Sequence, residues 1–148
     1  MKKELYQAMV NRLREITNEN TQECVFKDLG LWKPEILNEV SNLSDKRPAI
    51  FISYLRNAIF IEFLPIIWKA PCSGVQNGNV QIRLHIIGTE STELENSLQL
   101  LDLAETVKEH IVHWQDSDYG RIVCVESAVN HEQALKECIE MFQISIRQ

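Results

Sequence analysis

Between residues 80 and 86 the chain alternates strictly. Val80, Ile82, Leu84 and Ile86 are apolar, while Gln81, Arg83 and His85 are polar. A period of two is that of a strand with one dry face and one wet face. His85 falls on the polar side and is therefore expected in solvent. The stretch "GTESTELENS", residues 88–97, ends the strand at Gly88, and Ser97 offers a hydroxyl that can cap a helix N-terminus. Leu98, Leu101, Ala104 or Glu105, Val107 or Lys108, and Ile111 then recur at helical spacing up to Trp114. The apolar stripe of this helix is expected to lie on the dry face of the sheet.

The same reading extends in both directions. Leu5, Ala8, Met9, Leu13 and Ile16 form one stripe of a helix over residues 3–17. Thr17, Asn18 and Asn20 favour a turn, because their side chains compete for backbone hydrogen bonds. "ECVFKDL" (residues 23–29) suits a short strand. After Gly30, a helical turn or two can start at Pro34, with Trp32 and Leu37 folding back on the core. "AIFISYL" (49–55) and "AIFIEFLPIIW" (58–68) are rich in β-branched and aromatic residues. They read as a hairpin with Arg56 and Asn57 near its turn. Pro65 cannot donate to a ladder, so its strand is at an edge, bulged or bent there. "APCSGVQNGN" (70–79) reads as a long loop. Two strands close the chain, "RIVCVESAV" (121–129) and "LKECIEMFQISI" (135–146), joined by a turn at "NHEQA". In the last strand Cys138, Phe142, Ile144 and Ile146 share a face with Glu140. A bulge near Glu140, or an edge position, would reconcile the carboxyl with that company.

Strand runs joined by short turns, with one helix before them and one among them, favour an α+β fold over a wound βαβ fold. The expectation is a single domain over residues 1–148. Its mostly antiparallel sheet is packed by an N-terminal helix and a long central helix.

Composition changes this picture little. The apolar fraction of 45% and charged fraction of 24% are ordinary for a globular domain. No apolar run reaches the ~20 residues of a membrane span, and the N-terminus lacks the apolar core of a signal peptide, so a cytoplasmic protein is expected. A net charge of −6 with scattered Lys and Arg leaves no basic footprint for nucleic acid. Cys24, Cys72, Cys124 and Cys138 contain no CxxC pair, so reduced thiols are expected, buried at Cys124 and Cys138.

Candidate chemistry is sparse. No phosphate loop, GxGxxG, GxSxG or HExxH occurs. His110 and His113 are three apart on a helix, but two imidazoles are fewer than zinc requires, and near a helix C-terminus they complement the dipole. Glu62, Glu126 and Glu140 lie in predicted strands. A metal nuclease would add a lysine and a basic groove, which are not legible here. Cys72 beside Pro71 is a loop thiol without a partnered base. No catalytic or metal residue, binding residue or cofactor is therefore assigned, and a non-enzymatic role is expected.

The order of elements resembles the phage tail-completion or tail-terminator family of head–tail joining proteins. The likeness rests on the helix "LYQAMVNRLREI", the proline-led strand "RPAIFISY", the alternating strand "VQIRLHIIGT" feeding the helix "LLDLAETVKEHI", then "GRIVCVES" and the final strand "CIEMFQISIR". This resemblance implies a structural protein of a phage or prophage. Its copies would close into a ring, commonly of six, on the tail tube, with the tail tube and head-connector proteins as partners and without membrane or nucleic acid. It would be found in the bacterial cytoplasm during assembly and then in the virion tail. By the same analogy residues 71–79 are the candidate contact segment. Two other readings stand beside it: a cytoplasmic ligand-binding or regulatory α+β domain, as a dimer, and a metal-dependent enzyme on the acidic strand residues. A pocket lined by Trp68, His85 or Glu62 would favour the ligand reading.

Overall fold

The computed structural model describes residues 2–17, 22–26, 28–33, 57–72, 74–87, 94–114, 120–130 and 137–147. The elements in chain order are α1 (Lys2–Arg14), β1 (Asp28–Leu31), β2 (Ala58–Phe63), β3 (Ile67–Trp68), β4 (Asn77–Ile87), α2 (Leu94–Val112), β5 (Ile122–Asn130) and β6 (Glu137–Arg147). The sheet runs β1-β2-β4-β6-β5, with β3 also paired to β4. All pairings are antiparallel except β1 with β2. The fold is α+β, and the described residues form a mostly antiparallel, mixed sheet and two helices; the parallel pair was not legible in the sequence.

The alternation of β4 decides which face is dry. Val80, Ile82, Leu84 and Ile86 are all buried, as are their cross-strand partners Cys138, Phe142 and Ile144 on β6 and Ile59 and Ile61 on β2. Of the two described helices, α2 meets this face and α1 packs beside α2. Leu5, Met9, Val10, Leu13 and Ile16 of α1 and its exit, and Leu100, Ala104, Val107 and Ile111 of α2, join the same core. Each fully buried Leu, Ile or Phe contributes about 1.5–3 kcal/mol relative to exposure. The stripe on α2 passes through Leu100, not Leu101, which is exposed. Steps of 4, 3 and 4 from Leu100 keep that side chain over the sheet, and one position further turns it outward. Ser97 is not the cap, since α2 already begins at Leu94.

Three other expectations change. The first strand is Asp28–Leu31, shifted toward the C-terminal end of "ECVFKDL". The proposed hairpin partner at 49–55 lies outside the described residues, as do Leu37, the turn at Pro34 and "NHEQA". Both edges of β2 are nevertheless occupied, by β1 and β4, which leaves none for a hairpin strand over 58–61. The stretch 70–79 is mainly hairpin rather than loop. Cys72 and Val75 exchange backbone hydrogen bonds of 2.9 and 3.0 Å across a turn in which Gly74 has a φ of 76°. Asn77–Asn79 already belong to β4.

β2 and β3 are one bent strand running along β4. Phe63 pairs with Ile82 and Ile67 with Asn79, so four steps on one side face three on the other. The extra residue sits around Pro65, which has no N–H to offer the ladder. Leu64 N–H still donates to Gln81 O at 2.9 Å. Past this bulge Trp68 lies over Gly78. A Cβ on Gly78 would stand 2.6 Å from Trp68 Cε3 and 3.1 Å from Ile67 O. Gly78→Ala should therefore destabilise the chain by about 1–3 kcal/mol, read as a lower midpoint in urea denaturation with an altered tryptophan emission spectrum.

Candidate functional site

The polar residues gather in two clusters on opposite faces of the sheet. The face away from the helices carries Phe60 and Glu62 from β2, Arg83 and His85 from β4, and Glu137 from β6. His85 is only 5% exposed, so the solvent position expected for it is wrong. Trp32, just past β1, lies on top of it with ring centroids 3.7 Å apart and planes 3° from parallel. Trp32 thus folds back on the sheet, but on the face opposite the main core. The imidazole is held at both edges. Nε2 is 2.7 Å from Glu62 Oε2 and Nδ1 is 3.2 Å from Glu137 Oε2. Arg83 Nη1 stands 3.5 Å from Glu62 Oε1. A buried ring with both nitrogens engaged is a satisfied polar group, and neither nitrogen points toward open space.

On the helix face Glu140 is 5% exposed among apolar neighbours. The expected bulge exists, but in the partner strand. β5 pairs Cys124 with Phe142 and Glu126 with Met141, which makes Val125 the extra residue. Without it Glu126 would lie opposite Glu140 on the core side, two carboxyls together. With it Ser127 takes that place and its hydroxyl donates to Glu140 Oε2, while Cys124 Sγ lies 3.6 Å from the same oxygen. Burial, with the nearby Glu140, pushes the Cys124 thiol up from its ordinary range, and the Ser127 hydrogen bond opposes this only in part. A thiol held in its protonated form is a poor nucleophile.

The three carboxylates singled out in the sequence do not converge. Glu62 and Glu126 belong to one face and Glu140 to the other. His110 and His113 serve helix ends. Arg12 Nε and Nη2 donate to His110 O at 3.2 and 3.0 Å, and His110 Nε2 donates back to Arg12 O at 3.0 Å. Each side chain thus fills a carbonyl near the C-terminus of the other's helix. His113 Nδ1 donates to Glu109 O at 2.8 Å, one turn back. Cys72 is exposed at the hairpin turn, and none of the four cysteines is in a disulfide. Trp68 packs toward the helix face, so it shares no cavity wall with His85 and Glu62.

Sequence reading missed Glu137 and the role of Trp32 altogether. The available signal was weak: a strand-end glutamate and a tryptophan before a proline. Their meeting with His85 depends on pairings across 52 residues of chain. No protein-family model matches the chain, and no curated protein matches it.

Two outcomes follow from these environments. Ser127→Ala removes a hydrogen-bond donor from buried Glu140 and should cost about 1–3 kcal/mol in urea denaturation, with Ser127→Thr costing less. Burial, reinforced by Glu140 and Glu137, raises the Cys138 thiol from 9.0 to about 11. Below pH 9 folded and unfolded chains both keep this proton, so it leaves stability unchanged. Above it the unfolded chain gives up the proton first, and stability falls as pH rises toward 11. Cys138→Ala should show a shallower alkaline decline than the natural chain when both are followed by thermal denaturation.

Proposed function

We propose that this chain is a non-enzymatic assembly subunit whose copies close into a ring, in the manner of the tail-terminator proteins its element order resembles. The partners on this reading are further copies of the chain, a phage tail tube and the head connector.

One observation carries the proposal. The long hairpin of β2, β3 and β4 ends in an arm that displays an apolar residue at an open edge. Among the described residues β3 pairs with β4 alone, and Ile67 is 69% exposed. An unpaired edge with an apolar side chain is a surface for another polypeptide, and a heterologous contact made once per copy generates a ring when its rotation closes. Of the expected contact segment, residues 71–79, the described residues 71–72 and 74–79 belong to the turn of this arm and the start of its return strand. The saturation of His85 and the protonated state of the Cys124 thiol agree with a structural role.

Light scattering over a wide concentration range tests the reading. Six copies of the 17.2 kDa chain give a species of about 103 kDa. Ile67→Asp should dissociate it to smaller species while leaving the fold, read by circular dichroism, unchanged. A dimer stable on dilution, or a monomer both alone and with tail tube added, would count against the ring.

A further inference from the structure

The open edge of the hairpin arm has a counterpart at the other end of the sheet. Among the described residues β3 is bonded to β4 alone and β5 to β6 alone. β4 and β6 stand between them, so the two edges of one copy cannot meet each other. Lys69 N–H donates to Asn77 O at 2.8 Å. By the alternation of an antiparallel ladder, the N–H and C=O of Trp68 then point the other way, to the open side. On β5, Val125 and Val129 are 46% and 44% exposed. Each edge also carries one exposed charge of opposite sign, Lys69 on the arm and Glu126 on β5. Among the described residues neither side chain has an ion pair or a hydrogen bond. The outer edge of β1, Asp28–Leu31, has no basic residue to set against Glu126.

Strand direction and face decide whether these edges fit. β3 runs opposite to β4, β4 to β6 and β6 to β5, so β3 and β5 run in opposite senses. A rotation about an axis along the strands carries the sheet from one copy to the next with sense and face unchanged. β5 of one copy and β3 of the next therefore meet antiparallel, far face beside far face. Ile66 and Trp68 pack into the core on the helix side, so Ile67 and Lys69 alternate onto the far face. Glu126 and Ala128, opposite Met141 and Ile139, lie on that face too. One antiparallel register sets Lys69 against Glu126 and Ile67 against Ala128, a charge pair beside an apolar pair. In that register Asn130 reaches no further than Pro65, clear of residues 58–61, where β1 is already paired.

We infer that the partner of the arm is the open edge of β5 in the next copy, an inference that rests on the assembly reading. The sheet then runs on from copy to copy round the ring, with Lys69 and Glu126 fixing the register at each contact.

Charge exchange tests this pairing. Lys69→Glu and Glu126→Lys each set like charges across every contact. Each should raise the concentration for half-assembly about tenfold in light scattering, with circular dichroism unchanged because both side chains are exposed. An equimolar mixture of the two variants should reassemble near the natural concentration, because copies alternating round the ring restore an opposite-charged pair at each contact. Assembly that depends on Ile67 but on neither Lys69 nor Glu126, or a mixture that stays dissociated, overturns the pairing and leaves the assembly reading standing. A dimer stable on dilution, or a monomer both alone and with tail tube added, overturns both.

Discussion

The ladder between β4 and β6 is the constraint on which the rest of this structure depends. Two 11-residue strands pair along their whole length, from Asn77 opposite Arg147 to Ile87 opposite Glu137. Because the side-chain period is two, that single register assigns every residue of both strands to a face. It stacks Ile82 beside Phe142 and Val80 beside Ile144 under the helices. It also places Glu137 within reach of His85 on the other side. A slip of one residue would exchange the two faces and bury Arg83 and Gln81 in place of Leu84 and Ile82.

Polar groups caught inside this register are each accommodated by a local device. Glu140 falls on the core side because it shares parity with Cys138 and Phe142, and the Val125 bulge answers it with a hydroxyl in place of a second carboxyl. His85 falls on the far face at a point that Trp32 covers, and its two edges are closed by carboxyls from both neighbouring strands. Removing one partner of such a buried group costs more than the pairing contributes, because the remaining group is left without water or a substitute. The α1–α2 contact follows the same rule at helix ends, where Arg12 and His110 exchange hydrogen bonds with each other's backbone.

These devices bear on function by what they leave available. The residues most suggestive of chemistry, His85, Cys124 and the His110/His113 pair, all have atoms committed to partners. What faces outward is the bent hairpin arm with Ile67, and the far face of the sheet beyond Arg83, where Gln81 sits opposite Gln143 and Asn79 opposite Ser145. On the proposed assembly reading, this surface of edges and amides is where further copies of the chain would meet it.

The α+β class, the two helices and the dry face of β4 were determined by sequence alone, because apolar periodicity is a local property and burial follows it. The need for a bulge near Glu140 was legible for the same reason: a carboxyl in an apolar row demands a partner. The location of that bulge in β5 was not, since nothing around Val125 records which strand yields. The choice of Leu100 over Leu101 was decided by which side of α2 is turned to the core, for both residues continue a helical stripe. His85 was assigned to water because its neighbours in sequence are polar. Only the tertiary structure brings Trp32 from β1, Glu62 from β2 and Glu137 from β6 around it, because contacts between strands distant in the chain depend on register, and register is set by the packing of the whole sheet.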